Sequence, residues 1–338
     1  MNLERLENTV MGACITTYFL NVGYGEAMVV IAEGFCIVID GGSGRPEVYA
    51  QPGTVRIVDF LQRLGIKHID IMIMTHVHDD HVGGLVEVAR RLPIGQIWCN
   101  IDPGCLDMRR ISRYRAAVAG DGSGELFMAA LEAFDKVAGL ARQAATPIKA
   151  MDMDCTAVTL GRLILTPLGM RSNQRHQVQD EISGLAQAAD AEEFRQRLGR
   201  NDQECNQTSL AIHLAWRGRG LLLSGDKTTG WEKVAAGHRL KADVLKLTHH
   251  GQRNGMPEAM LQAADPQMMV VCADRARTYD SANPKLLGQA RAYLLAKGLA
   301  PLVYVTGDLQ TADGRPAGVL KVELPAESDI IRTAVLSD

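Results

Sequence analysis

The stretch that most constrains this chain is "MTHVHDDHVGG", residues 74 to 84, where three histidines and two aspartates crowd between His76 and His81 and a glycine pair follows. The preceding run, "HIDIMIMT", is almost continuously apolar, the pattern of a strand covered on both faces. A strand ending at Thr75 delivers His76 and His78 two residues apart, so in extended chain both side chains leave on the same face. Asp80 and His81 then fall on the turn into the next helix, and Gly83 and Gly84 permit close backbone approach there. Leaving such groups desolvated and unpaired costs of order 2–7 kcal/mol each, and a divalent cation removes that cost. Imidazole and carboxylate donors without thiolate suit Zn²⁺, with Mn²⁺ or Fe as alternatives.

Two more apolar runs end in residues of the same type: "GLLLSGD" in Asp226 and "ADVLKLTHHG" in His249 and His250. Three strand ends thus carry seven candidate ligands: His76, His78, Asp80, His81, Asp226, His249 and His250. Open α/β sheets gather their sites at the carboxyl ends of strands.

The rest of the chain fits that architecture. Strands are expected in "ITTYFLNVG", "EAMVVIAEG" and "FCIVIDGG", a helix in "TVRIVDFLQRLG" and another in "GGLVEVARRLP". Strand signals resume in "TSLAIHLAWRGRGLLLSGD", "PQMMVVCAD", "PLVYVTGD" and "GVLKVELP", with a helix over "NPKLLGQARAYLLAKG" between them. Strands alternating with helices predict a layered α/β fold. Two stretches, about 104–150 and 176–200, read as helical insertions shaping a cleft, with "GELFMAALEAFDKVAGLARQAA" and "DEISGLAQAADAEEFRQRLG" as their helices and "TAVTLGRLILTPLG" as a hairpin between.

Composition excludes several classes. Of 338 residues, 46% are apolar and 22% charged, enough for a packed core. A net charge of −3 does not mark a general nucleic-acid binder. The local cluster Arg109, Arg110, Arg113 and Arg115 reads either as a solvated helix face or as an attractor for a polyanion. Seven cysteines, an odd number without CxxC spacing, argue against a disulfide framework and a cysteine zinc knuckle. The N-terminal "MNLERLENTV" lacks the order of a signal peptide, and no apolar run approaches the ~18 residues of a membrane span, so the expectation is a cytoplasmic protein without membrane contact.

The run His76-Val77-His78-Asp79-Asp80-His81 resembles the HxHxDH signature of the metallo-β-lactamase superfamily, and the resemblance extends from about residue 15 to about 325. Within it, "LNVGYGEAMVVI", "NQTSLAIHL", "LLLSGD" and "LKLTHHG" are similar to motifs of the soluble hydrolase domain of ComEC-type competence proteins. The resemblance implies a single four-layer αββα sandwich, with the site along the edge between two sheets. It implies two divalent metals: His76 and His78 on one, Asp80, His81 and one histidine of the 249–250 pair on the other, Asp226 bridging, and Asp40 in "VIDGG" orienting a ligand histidine from behind. Two metals about 3.5–4 Å apart supply hydroxide from a shared water and steady a developing oxyanion, with Asp80 as a proton acceptor besides a ligand.

The chain departs from the family pattern in three places. A further metal-binding histidine is expected between the signature and Asp226, where only His176, in a loop, and His213, inside a strand, are found. Asn21 and Glu26 stand where the competence branch has aspartates, and "YDSANP", with Tyr279 and Asn283, replaces a tyrosine followed by His-Pro. The reading is a metal-dependent hydrolase for phosphodiester substrates, small or nucleic-acid-like. Its alternative is a non-catalytic or regulatory metal-binding module of the same fold; a di-iron redox protein ranks below both, lacking a flavin domain or an extra carboxylate ligand.

Overall fold

The computed structural model describes residues 14–337, so the N-terminal segment read above for a leader lies outside the described residues. Its elements run β1 (Cys14–Leu20), β2 (Met28–Ala32), β3 (Phe35–Ile39), α1 (Ile57–Arg63), β4 (Ile69–Met74), α2 (Leu85–Arg91), β5 (Ile94–Cys99), α3 (Gly122–Gln143) and β6 (Ile148–Ala150). There follow β7 (Val158–Leu160), β8 (Leu163–Leu168), α4 (Ser172–Ser183), α5 (Ala191–Cys205), β9 (Ala211–Trp216), β10 (Arg219–Leu223), α6 (Trp231–Gly237) and β11 (Val244–Lys246). The last are α7 (Glu258–Ala264), β12 (Met268–Val271), α8 (Pro284–Ala296), β13 (Val303–Val305), β14 (Val319–Pro325) and β15 (Arg332–Leu336).

The strands form an eight-stranded sheet, β15-β14-β1-β2-β3-β4-β5-β6, and a seven-stranded sheet, β13-β12-β11-β10-β9-β8-β7. Side-chain alternation explains why both are covered on two faces. In β4, Ile71 and Ile73 point into a core shared with the other sheet, while Met72 and Met74 point out to helices. In β10, Leu221 and Leu223 enter the shared core and Leu222 faces Trp231, Met260 and Leu286 on the outer side. Outside the first sheet, α3 presents Phe127, Leu131, Phe134 and Ala138 at helical spacing, all buried, and α5 adds Phe194 and Leu198. Three cores between four layers make the expected αββα sandwich.

Each sheet is antiparallel on one side and parallel on the other: β3, β4, β5 and β6 run together in one, and β10, β11, β12 and β13 in the other. The carboxyl ends of β3, β4, β10 and β11 carry Asp40, His76, Asp226 and His250, and the contacts described below bring these residues together.

The insertions differ from expectation in one respect. Residues 180–199 are not one helix: α4 begins earlier, at Ser172, and the chain breaks after Ser183 before α5 starts. The new start is capped, Asp190 Oδ1 accepting from Glu193 N at 2.9 Å while Glu193 Oε2 accepts from Ala189 N at 2.7 Å. His176 is therefore an exposed helix residue rather than a loop residue.

Candidate metal centre

The site begins with β4. Past Met74 the chain leaves the strand and bends at His76 and Val77, so the extended spacing expected there is not kept, and a single helical turn, Asp79–Val82, then lifts Asp80 and His81. Gly83 and Gly84 are required here: a Cβ on Gly84 would meet Gly41 O at 2.0 Å and one on Gly83 would meet Gly44 N at 2.1 Å. That close approach seats the turn on the β3 loop, where Gly41 N donates to His81 O at 2.7 Å.

Asp40, fully buried with a left-handed φ of 54°, organises the first half of the site. Its Oδ1 accepts from Thr75 N at 2.9 Å, and its Oδ2 accepts from Thr75 Oγ1 and His81 Nδ1, both at 2.7 Å. The His81 proton is thereby held on Nδ1, leaving Nε2 bare. Having given its own proton to Asp40, Thr75 Oγ1 accepts from His76 Nδ1 at 3.1 Å, so His76 also turns a bare Nε2 into the site. His78 is set the other way round: Nε2 donates to Asp202 Oδ1 at 3.2 Å, leaving Nδ1 bare at 3.1 Å from His76 Nε2.

The second half comes from the other sheet. His249, His250 and Gly251 all adopt left-handed φ (51°, 50° and 65°), a strained turn that swings His250 inward. His250 Nδ1 donates to Cys272 O at 2.9 Å, and its bare Nε2 stands 3.3 Å from His81 Nε2. Asp80 Oδ2 and Asp226 Oδ2 each lie 3.1 Å from His250 Nε2, and 3.6 Å and 3.4 Å from His81 Nε2.

His249 turns outward instead, its Nε2 3.0 Å from Asn206 Nδ2 and its Nδ1 3.2 Å from Asn254 Oδ1. Of the two histidines named from the sequence, His250 joins the cluster and His249 lines the cleft beside it. His213 belongs to the sheet, with Nε2 donating to Lys241 O at 2.9 Å, and His176 is exposed and is not among the residues lining the cleft.

Two facing pairs of bare imidazole nitrogens have no hydrogen to share, and only a cation or an added proton relieves them. Burial alone would pull His250 down, but the Asp226 and Asp80 carboxylates outweigh it and push it up to about 9. His81 is raised against burial in the same way by Asp226, Asp80 and Asp40. His76 is lowered, by burial first and then by its imidazole neighbours His81 and His78. Asp226 Oδ1 and Asn206 Oδ1 are buried without a hydrogen-bond partner. Bare nitrogens, ionised carboxylates and orphaned buried oxygens are the donor set that divalent cations fit.

Three participants escaped sequence reading. Asp202 on α5 reaches His78 across 124 positions. Asn206, noted only as part of a strand motif, lines the cleft and keeps its Oδ1 buried without a hydrogen-bond partner. Glu26 shares the deep end of the site with His81, Asp226 and His250, one donor atom from each lying within 4.8 Å of the others. Its carboxylate is already engaged, however, by the ammonium of Lys246, both residues being fully buried. Lys246 Nζ also donates to Gly225 O at 2.9 Å and stands 3.6 Å from Asp226 Oδ1.

Residues 20–116, which include the whole His76–His81 segment and Asp40, match the model of the metallo-beta-lactamase superfamily. The chain carries a metallo-β-lactamase superfamily domain. A match of 22% identity over 281 residues, 79% of this chain, joins it to ComE operon protein 3 of Bacillus subtilis. Another, 43% identical over 53 residues or 14% of this chain, joins it to the coenzyme F420H(2) oxidase of Methanothermobacter marburgensis. These stretches span 29% and 13% of the two relatives, so the chain corresponds to under a third of either. Solved structures similar to it include Igni18, a metallo hydrolase from Ignicoccus hospitalis (16% identity, 91% of this chain and 99% of that one, TM-score 0.48). CmlA, a diiron β-hydroxylase from Streptomyces venezuelae, is another (14% identity, 93% and 54%, TM-score 0.47).

The cleft over the cluster has a volume of about 360 Å³, and Tyr24, Arg45, Phe127, Asp202, Asn206 and Tyr279 are among its walls. Arg109, Arg110, Arg113 and Arg115 are exposed and outside it; Arg115 pairs with Glu132 and Arg110 with Asp107. Among the described residues no helix is long and apolar enough to cross a membrane, and all seven cysteines are free.

Proposed function

We propose that this chain is a binuclear metal-dependent hydrolase acting on phosphodiester, nucleic-acid-like substrates. The observation that carries the reading is the close facing of ring nitrogens, His76 Nε2 with His78 Nδ1 at 3.1 Å and His81 Nε2 with His250 Nε2 at 3.3 Å, beside the Asp80 and Asp226 carboxylates. On this reading His76, His78 and Asn206 would hold one cation and Asp80, His81 and His250 the other, with Asp226 completing the donor set. Asn206 would stand in for the histidine that the sequence lacks. Zinc suits the donors best, with manganese or iron as alternatives.

When bound, two such metals supply a hydroxide near neutral pH and neutralise charge on the attacked group. The protein's own residues do the rest. Asp40, Thr75 and Cys272 O orient the ligand imidazoles through hydrogen bonds to their other ring nitrogens. Asp80, on the open side of the site, would be the carboxylate placed to take a proton from that water. Arg45, 3.4 Å from Asp79 at the cleft wall and half exposed, is the cation that meets a phosphate oxygen. The substrate class is supported by the likeness to competence-type hydrolase domains and by Arg45. Free thiols and the lack of a spanning helix among the described residues support a cytoplasmic setting.

Hydrolysis of bis(p-nitrophenyl) phosphate by protein loaded with Zn²⁺ or Mn²⁺ tests this. Turnover should fall at least about 100-fold in Asp80→Ala. A loaded chain without turnover, or an Asp80→Ala variant equal to wild type, would overturn it and favour the regulatory module.

A further inference from the structure

The segment from Asp274 to Asn283 is the most strained in the described chain outside the metal centre. Arg277, Tyr279, Asp280 and Ala282 all have left-handed φ, at 59°, 53°, 61° and 42°, and none is glycine. Such conformations persist only where the surroundings over-determine them, and they concentrate at ligand clamps. Here the surroundings do so. The Asp274 carboxylate accepts from Thr278 N at 2.9 Å, Thr278 Oγ1 at 2.6 Å and Ser281 Oγ at 3.4 Å. Asp280 accepts from Arg253 Nε and Asn283 Nδ2, both at 2.9 Å. Ala282 N donates to His250 O at 2.8 Å and Asn283 N to Gly251 O at 2.9 Å, which ties the segment to the turn carrying His250.

What the strain achieves is to hold one aromatic ring in the open. Tyr279 is 66% exposed, the only one of the four large exposed hydrophobics among the described residues that lines the cleft. Its ring meets Tyr24 edge-to-face, with centroids 5.1 Å apart and planes at 75°. Tyr24 in turn stands 4.6 Å from the His250 ring. A rigid, exposed aromatic surface therefore begins two ring contacts from the His81–His250 pair, with Phe127 on the cleft wall beside His78.

We propose that Tyr279 is a stacking platform for an unpaired nucleobase, so that the substrate is a nucleotide phosphodiester rather than a lipid or sugar one. The substrate half of this proposal rests on the phosphodiester reading above. A base and its phosphate are separated by one sugar, which lets the ring lie on Tyr279 while the phosphate sits over the metal centre beside Arg45. Bases inside a duplex have no free face, so the platform selects single strands, ends or short nucleotides. Stacking is tolerant of base identity, because every base has a π-face.

Calorimetric titration of the metal-loaded chain with thymidine 5′-monophosphate and with deoxyribose 5-phosphate separates the base from the phosphate. The base should tighten binding about tenfold or more, Tyr279→Ala should bring the two ligands within about twofold of each other, and Tyr279→Phe should keep the preference. Equal affinities in wild type, no binding of either ligand, an unchanged preference in Tyr279→Ala, or equal losses in the Phe and Ala variants would overturn the platform. The two readings fail separately. Hydrolysis of phosphodiesters without a base preference sinks the platform alone, whereas base-dependent binding through Tyr279 without any turnover sinks only the hydrolase.

Discussion

Replacing Lys246 by methionine should destabilise the metal-free protein by about 3–5 kcal/mol, the cost of removing one partner from a buried ion pair. The structure sets the upper part of that range. Lys246 and Glu26 are both without solvent exposure, and Asp226 Oδ1 lies 3.6 Å from the same ammonium, so its loss strands two carboxylates. With an unfolding entropy of about 2 cal/mol/K per residue over 338 residues, the melting midpoint should fall by roughly 4–7 °C. Circular dichroism melts in the presence of a chelator measure it. Burial is the leading influence on Glu26 and raises its pKa, against the pull of Lys246. Without Lys246 that rise goes further, and Glu26 is relieved by taking up a proton. A folded pKa raised above the unfolded value gives stability present at low pH and lost as pH rises, so the deficit of Lys246→Met should widen from pH 5 to pH 8. Adding Glu26→Gln should recover most of the loss, since removing both charges of a buried pair is often close to neutral. A single-variant shift below about 1 °C, or a double variant as unstable as the summed singles, would refute the reasoning.

The carboxylates behind the imidazoles should act on metal affinity. Asp40→Asn and Asp202→Asn remove the groups that fix the His81 and His78 tautomers, and each should weaken binding about 10–100-fold in chelator competition; an effect below twofold would deny them that role. Proton linkage gives a further expectation. With His250 pushed up to about 9 against an ordinary 6.5, its charge stabilises the metal-free fold fully below about pH 6.5, and this is lost as pH rises through 9. Over the same window apparent metal affinity should rise, because binding displaces that proton. Melts with chelator and titrations in two buffers check both signs, and a flat profile in both would contradict the assignment.

Much of the architecture was legible because it rests on periodicity. The continuous apolar run ending at Met74 announced a strand covered on both faces, but the extended spacing expected of His76 and His78 is replaced by a bend at His76 and Val77, and their rings meet beyond the strand end. The glycine pair at 83 and 84 announced a close approach that the Gly84–Gly41 contact supplies. What could not be read depended on tertiary contact or on backbone geometry. Nothing in "THHG" separates His249 from His250; the choice is made by left-handed φ at both residues and by Cys272 O, which captures one ring nitrogen of His250. Asp202 and Lys246 are ordinary residues in sequence, and only the packing of α5 and β11 gives them partners at His78 and Glu26. The break between α4 and α5 was written in local signals, an Asp190 and Glu193 cap, that helical spacing across 180–199 concealed.

The central claim is that the two facing imidazole pairs are two cation sites, and metal content per chain tests it most directly. Protein purified without chelator, then dialysed against Zn²⁺, should carry about two metal ions by plasma mass spectrometry, and His76→Ala and His250→Ala should each lose about one. One ion or none in the wild-type chain, or two retained in both variants, would contradict the account.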